Sequence, residues 1–129
     1  MTTETEVLLL TLLLGFVHLS IGATIRVYQQ GFFPLLGPRD NMPPVGGIIG
    51  PRAERANINF KETLPWALAL LILVQVTGKA NADSAMGAWI YLSGRAVYLP
   101  MYVFGIPGLR TLAWAVSLGG LGLIAAQLM

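Results

Sequence analysis

The chain has no cysteine. That excludes a disulfide framework, a thiolate-bound metal and a cysteine nucleophile, so any thiol chemistry must use a thiol brought by the substrate. Charge is scarce as well: 11% of the 129 residues are charged against 55% hydrophobic, and the mean hydropathy is +0.68. So little polar surface excludes an ordinary soluble domain of this size and sends the chain into a bilayer. The charge imbalance is slight too. A net charge of +2 and an isoelectric point near 9.3 are too weak a footprint for a nucleic-acid partner, particularly as several basic residues lie inside or beside hydrophobic runs. The start of the chain carries Glu4 and Glu6 and lacks the basic region of a cleaved signal peptide. The first hydrophobic segment is therefore expected to stay as a membrane helix.

The apolar runs predict four helices. Val7 to Ile25 is 19 residues long and long enough to cross the hydrocarbon core. His18 lies within it; of a proton carrier and a hydrogen-bonding packing residue, the second is the reading taken. Arg26, at the end of the span, suits snorkelling to the interface and ligand binding equally. Residues 29–51 hold Pro34, Pro38, Pro43, Pro44 and Pro51 among five glycines, which rules out a regular helix and predicts a long loop. Its apolar residues, Phe32, Phe33, Leu35, Leu36, Ile48 and Ile49, are too many for a free linker. It should fold back over the helices or the interface, as a lid or an anchor.

The second helix is expected over 52–77, bent at Pro65. Arg52, Arg55, Asn59 and Glu62 follow at spacings of three, four and three, so all four share one face. A guanidinium fork, an amide and a carboxylate together are what a small zwitterionic ligand needs for orientation. Lys61 points about 100° away from Glu62 and is expected to snorkel outward or to pair with Glu54.

A third helix over 84–103 places Arg95 about 16 Å along its axis, too deep for a simple flank. Arg95, Tyr98 and Tyr102 share a face by the same spacing rule, and Pro100 should kink the helix at their level. A competing reading makes the tyrosines an interfacial belt and pairs Arg95 with Glu62. The site reading is preferred, because both polar faces end toward the same side. Arg110 opens a fourth helix over 111–129, where Gly119, Gly120 and Gly122 suit close helix packing. The architecture predicted is an all-α integral membrane four-helix bundle in a single domain, 1–129. Arginines in the first and last loops, against acids at the N-terminus, put the loops after helices one and three in the cytoplasm and both termini opposite.

The string Arg55-Ala-Asn-Ile-Asn-Phe-Lys-Glu62-Thr-Leu-Pro65, followed by Gly94-Arg95-Ala-Val-Tyr98-Leu-Pro-Met-Tyr102 and then Leu109-Arg110, resembles the membrane-associated proteins in eicosanoid and glutathione metabolism, most of all the glutathione transferases among them. The likeness covers the whole chain. It implies a homotrimer of four-helix subunits with glutathione between neighbours. By it, Arg55, Asn59 and Glu62 hold the peptide, Arg26 and Arg95 face its carboxylates, and Tyr98 and Tyr102 line the pocket from the adjacent chain. Arg110 would lie beside the glutathione sulfur, where a fixed cation favours the reactive thiolate. The function implied is a membrane glutathione transferase or peroxidase acting on a lipophilic electrophile or lipid hydroperoxide. Asn57, where members often carry glutamine or histidine, and Thr63, where some carry tyrosine, argue against a specific eicosanoid substrate. Two rivals are a non-catalytic lipid-binding or scaffolding protein of the same family and, more weakly, a small ion transporter using Glu62 and Arg95.

Overall fold

The computed structural model describes residues 1–129 and contains helices and no strands: α1 (Thr3–Gln30), α2 (Phe33–Leu36), α3 (Ile49–Val76), α4 (Ala82–Val103) and α5 (Leu109–Leu128). Of these, α1 and α5 are long and apolar enough to cross a membrane. The other two long helices are less apolar for a plain reason. The first half of α3 carries Arg52, Glu54, Arg55, Lys61 and Glu62, and α4 holds Asp83, Arg95 and three tyrosines.

Helix ends lie beyond the apolar runs because local capping, not hydrophobicity, sets them. Thr2 accepts a hydrogen bond from the Thr5 amide at 3.3 Å, and Glu4 and Glu6 face the positive end of the α1 dipole. At the start of α3, Pro51 falls in the first turn, where its missing N–H costs nothing. Asn81 opens α4 with a reciprocal cap: its side-chain oxygen accepts from Asp83 and Ser84 amides, and Ser84 Oγ accepts from the Asn81 amide. Pro65 and Pro100 sit inside continuous helices.

α4 and α5 make the most extensive contact, and glycine permits it. A Cβ on Gly87 would stand 2.7 Å from the Gly120 carbonyl oxygen, and one on Gly120 would stand 2.5 Å from the Gly87 oxygen and 2.6 Å from the Tyr91 nitrogen. Gly119 and Gly122 meet nothing within 4 Å, so of the three glycines in this stretch only Gly120 serves close packing. This contrast is testable by thermal denaturation of the purified protein. Gly120→Ala should cost about 1–3 kcal/mol by overpacking, whereas Gly119→Ala should gain up to about 1 kcal/mol from helix propensity. Equal effects would reject the packing.

The main apolar core, centred on Leu71, Val74, Tyr91 and Ile124, lies toward the end of the molecule that holds both chain termini. Polar bonds close that end: Gln75 Nε2 donates to Glu4 at 3.0 Å, Ser84 Oγ to the other Glu4 oxygen, Asn81 Nδ2 to Gln127 at 2.9 Å and Lys79 Nζ to the Leu128 carbonyl at 2.7 Å. At the opposite end the long loop is strapped to α1. Gln29 and Gly46 exchange two bonds of 2.9 Å, and Gln30 Nε2 donates to the Pro43 carbonyl at 2.7 Å. The short α2 within that segment leaves Phe33 and Leu36 exposed. Near this strapped end the second core is small: Ala56, Tyr98 and Ala113, with Leu99 and Tyr102 packed against it.

Candidate functional site

Two of the α3 stripe residues bond to side chains of α4. Arg95 Nη1 donates to Asn59 Oδ1 at 2.9 Å, and Arg55 Nε donates to the Tyr102 hydroxyl at 3.0 Å. The rings of Tyr98 and Tyr102 are 5.6 Å apart, and Arg95 lies over Tyr98 at 4.7 Å. Arg110 completes the group from α5, its guanidinium carbon 4.8 Å from the centre of the Tyr102 ring. Tyr102 thus takes a hydrogen bond from one arginine and the cation of another on its ring, an arrangement that holds both charges in place.

Arg110 occupies the first turn of α5, where the helix dipole disfavours a cation. The amide donors of that turn and the guanidinium both favour an anion in front of them. Arg95 is 1% exposed, and its Nε and Nη2 have no hydrogen-bond partner. Buried guanidinium donors left open are costly, and a ligand oxygen is a group that would satisfy them. No ion pair joins Arg95 to Glu62; the chain's single ion pair is Arg26 to Glu54 at 2.6 Å. Arg52, Arg55, Arg95 and Arg110 therefore stand at the strapped end without a carboxylate partner, and Glu62, on the same face of α3, is exposed.

The remaining side chains divide between two faces of α3 and the end of α4. Within the chain, Tyr98 and Tyr102 group with Arg55. Arg26 lies elsewhere: with Arg39, Glu54, Asn57 and Lys61 it lines a cavity of about 380 Å³ between α1 and α3. Asn57 and Asn59 are about 200° apart around α3, so this cavity and the arginine–tyrosine group occupy opposite faces of one helix. Glu54 pairs with Arg26 and so not with Lys61. Arg52, on the stripe by spacing, turns to the end of α4 and donates to the Val103 carbonyl at 3.3 Å.

Phe60 is the residue that spacing did not single out. It is buried between α1 and α4, stacked on His18 at 4.6 Å, with Arg95 5.7 Å from its ring centre. Neither His18 ring nitrogen has a hydrogen-bond partner, so His18 packs by stacking and not by hydrogen bonding. The phenylalanine follows Asn59 immediately, but only the crossing of α1 over α3 reveals its role.

A family model described as the MAPEG family matches residues 6–129. Comparison with curated proteins and with solved structures gave no match. With that match over essentially the whole chain, and with two helices apolar enough to span a bilayer, the protein belongs to the MAPEG family of membrane proteins.

Proposed function

We propose that the protein is a membrane-bound glutathione transferase with glutathione-dependent peroxidase chemistry at the same site, built as a homotrimer of four-helix subunits. The family generally uses glutathione and contains transferases, peroxidases and non-catalytic members. The observation that carries the enzymatic reading is the set of guanidinium groups without carboxylates: buried Arg95 with open donors, and Arg55 and Arg110 on either part of Tyr102. A tripeptide with two carboxylates, an ammonium and a thiol fits this set. Arg95 and Arg55 would take carboxylate, Asn59 an amide, Glu62 the ammonium, and Tyr98 and Tyr102 would wall the pocket.

Arg110 is assigned the sulfur. A fixed positive charge beside a thiol favours its thiolate, and each pK unit gained corresponds to about 1.4 kcal/mol. In transfer, the sulfur forms a bond to the electrophilic carbon as the leaving group departs with the bond's electrons. In peroxide reduction, the sulfur attacks the O–O bond, an alcohol leaves after taking a proton, and a second glutathione converts the sulfenic acid to disulfide with release of water. Water-poor surroundings strengthen the Arg110 charge at the moment it is needed.

A cost supports assembly with neighbouring copies. Arg55 and Glu62 are exposed on one face of α3 beside Ile58 and Trp66, which are exposed too. A charge facing lipid near the bilayer centre costs roughly 2.5–3.5 kcal/mol. A neighbouring copy that brought its α1–α3 cavity, with Arg26 and Asn57, against this face would cover the charges and add Arg26 to the glutathione pocket. In this arrangement the four long helices span the membrane, the arginine end faces the cytoplasm and both termini face away.

The test is turnover. Purified protein with millimolar glutathione should consume an activated aryl halide or a lipid hydroperoxide faster than the uncatalysed reaction, and Tyr102→Phe should lower that rate about tenfold by freeing Arg55. No turnover of either class, with lipid retained on purification, would support the non-catalytic lipid-binding role and reject the enzyme.

A further inference from the structure

Arg52 and Gly105 form a contact that the glutathione site does not use directly. The start of α3 brings Arg52 to the end of α4, where its Nη1 donates to the Val103 carbonyl, one of the groups a helix end leaves without an internal partner. Beyond Val103 the chain makes a closed turn. The Gly105 amide donates to the Tyr102 carbonyl and the Ile106 amide to the Met101 carbonyl, both at 3.0 Å, with Gly105 at φ +70°. This is the glycine stop that ends a helix by a left-handed residue.

Gly105 also leaves the room that the Arg52 guanidinium occupies. A Cβ on it would lie 2.5 Å from Arg52 Nη1 and 2.7 Å from both Cζ and Nη2. Near-equal distances to three atoms of a planar group mean that the open side of the glycine faces the flat of the guanidinium. Arg52 therefore holds the turn by an edge, through the carbonyl, and by a face, through Gly105. The same turn fixes where α5 begins, and Arg110 is the second residue of α5. Arg110 must reach back over Tyr102, which lies on the near side of the turn. The two ends of the turn carry the two halves of one contact.

We infer that Arg52 is a positioning residue for Arg110, clamping the 104–108 turn so that the Arg110 guanidinium is set over Tyr102. The inference rests on the reading of Arg110 as the group that faces the glutathione sulfur. Arg52 itself touches no part of that site: its hydrogen bond goes to backbone and its face to glycine. Its effect should therefore appear in how well the thiolate is stabilised and not in how tightly the peptide is held.

The experiment is a pH titration of the thiolate absorbance of glutathione bound to the detergent-purified full chain, with the dissociation constant measured in parallel. Arg52→Ala should raise the midpoint by about one pH unit, since a displaced cation beside a thiol loses part of its effect, while the dissociation constant stays within about threefold. Arg52→Lys should behave like Arg52→Ala, because an ammonium keeps the charge but has no flat face to lie on Gly105. Gly105→Ala should raise the midpoint in the wild type and raise it by less in the Arg52→Ala background, where only the strain of the left-handed residue remains. Full rescue by lysine would mean that Arg52 acts by its charge through space, and would overturn the positioning role. An unmoved midpoint in Arg52→Ala would do the same while leaving the glutathione reading intact. Absence of any thiolate signal in the wild type would reject that reading, and the inference with it.

Discussion

Arg110→Ala should lose about 100-fold in turnover at pH 7 while binding glutathione within about threefold of the wild type. An adjacent charge commonly moves an ionisable group by one to three pK units, and two units at pH 7 cut the reactive fraction about 100-fold. The structure isolates this effect well. Arg110 contacts the face of Tyr102 from α5, whereas Arg55, Asn59 and Arg95 bond among α3 and α4 without it. Its removal should therefore leave the bonds of Arg55, Asn59 and Arg95 standing. Rate measurements across pH separate the cause: the variant should regain most of its turnover when the pH is raised by about two units, because the thiol then ionises unaided. A variant with undiminished turnover, or with a loss that no pH restores, would remove Arg110 from its role.

The second large effect is a trade between stability and binding at Arg95. This guanidinium is buried with one bond, to Asn59, and two nitrogens open. Its rings are favourable, Tyr98 at 4.7 Å and Phe60 at 5.7 Å, but cation–ring contact replaces only part of the lost hydration. Methionine fills similar length without a charge. Arg95→Met is therefore expected to be more stable than the wild type in the absence of glutathione, by about 1–4 kcal/mol, as for other buried charges replaced by apolar groups. It should also bind glutathione at least 30-fold more weakly, because truncating one partner of a desolvated charged contact typically costs about 2–5 kcal/mol. Thermal denaturation with and without glutathione reads both at once. A variant less stable than the wild type and still stabilised by glutathione would show that Arg95 is structural.

Much of this site was legible because helical spacing states which residues share a face. Arg55, Asn59 and Glu62 on one helix and Arg95, Tyr98 and Tyr102 on the next could be read that way, and the bonds from Arg95 to Asn59 and from Arg55 to Tyr102 join the two faces. Spacing does not state what stands opposite a face. It put Arg52 on the stripe, but near the end of α4 an arginine side chain is long enough to take a backbone carbonyl instead. It grouped Gly119, Gly120 and Gly122, although 100° steps send only Gly120 toward Gly87. It could not reveal that Arg26 lies across α3 from Arg55, because that depends on which side of α3 receives α1. The stacking of His18 on Phe60 was hidden for the same reason, since their sequence separation carries no periodic signal. Helix ends moved by several residues where a threonine, an asparagine or a first-turn proline governed them.

The most direct measurement is calorimetric binding of glutathione to the detergent-purified protein, followed on the same preparation by ultraviolet difference spectroscopy. A cluster of arginines with open donors on Arg95 predicts saturable binding below millimolar concentration and a thiolate absorbance at neutral pH that disappears in Arg110→Ala. No binding at millimolar glutathione would contradict the account, and the arginines gathered around Tyr98 and Tyr102 would then belong to a different anion.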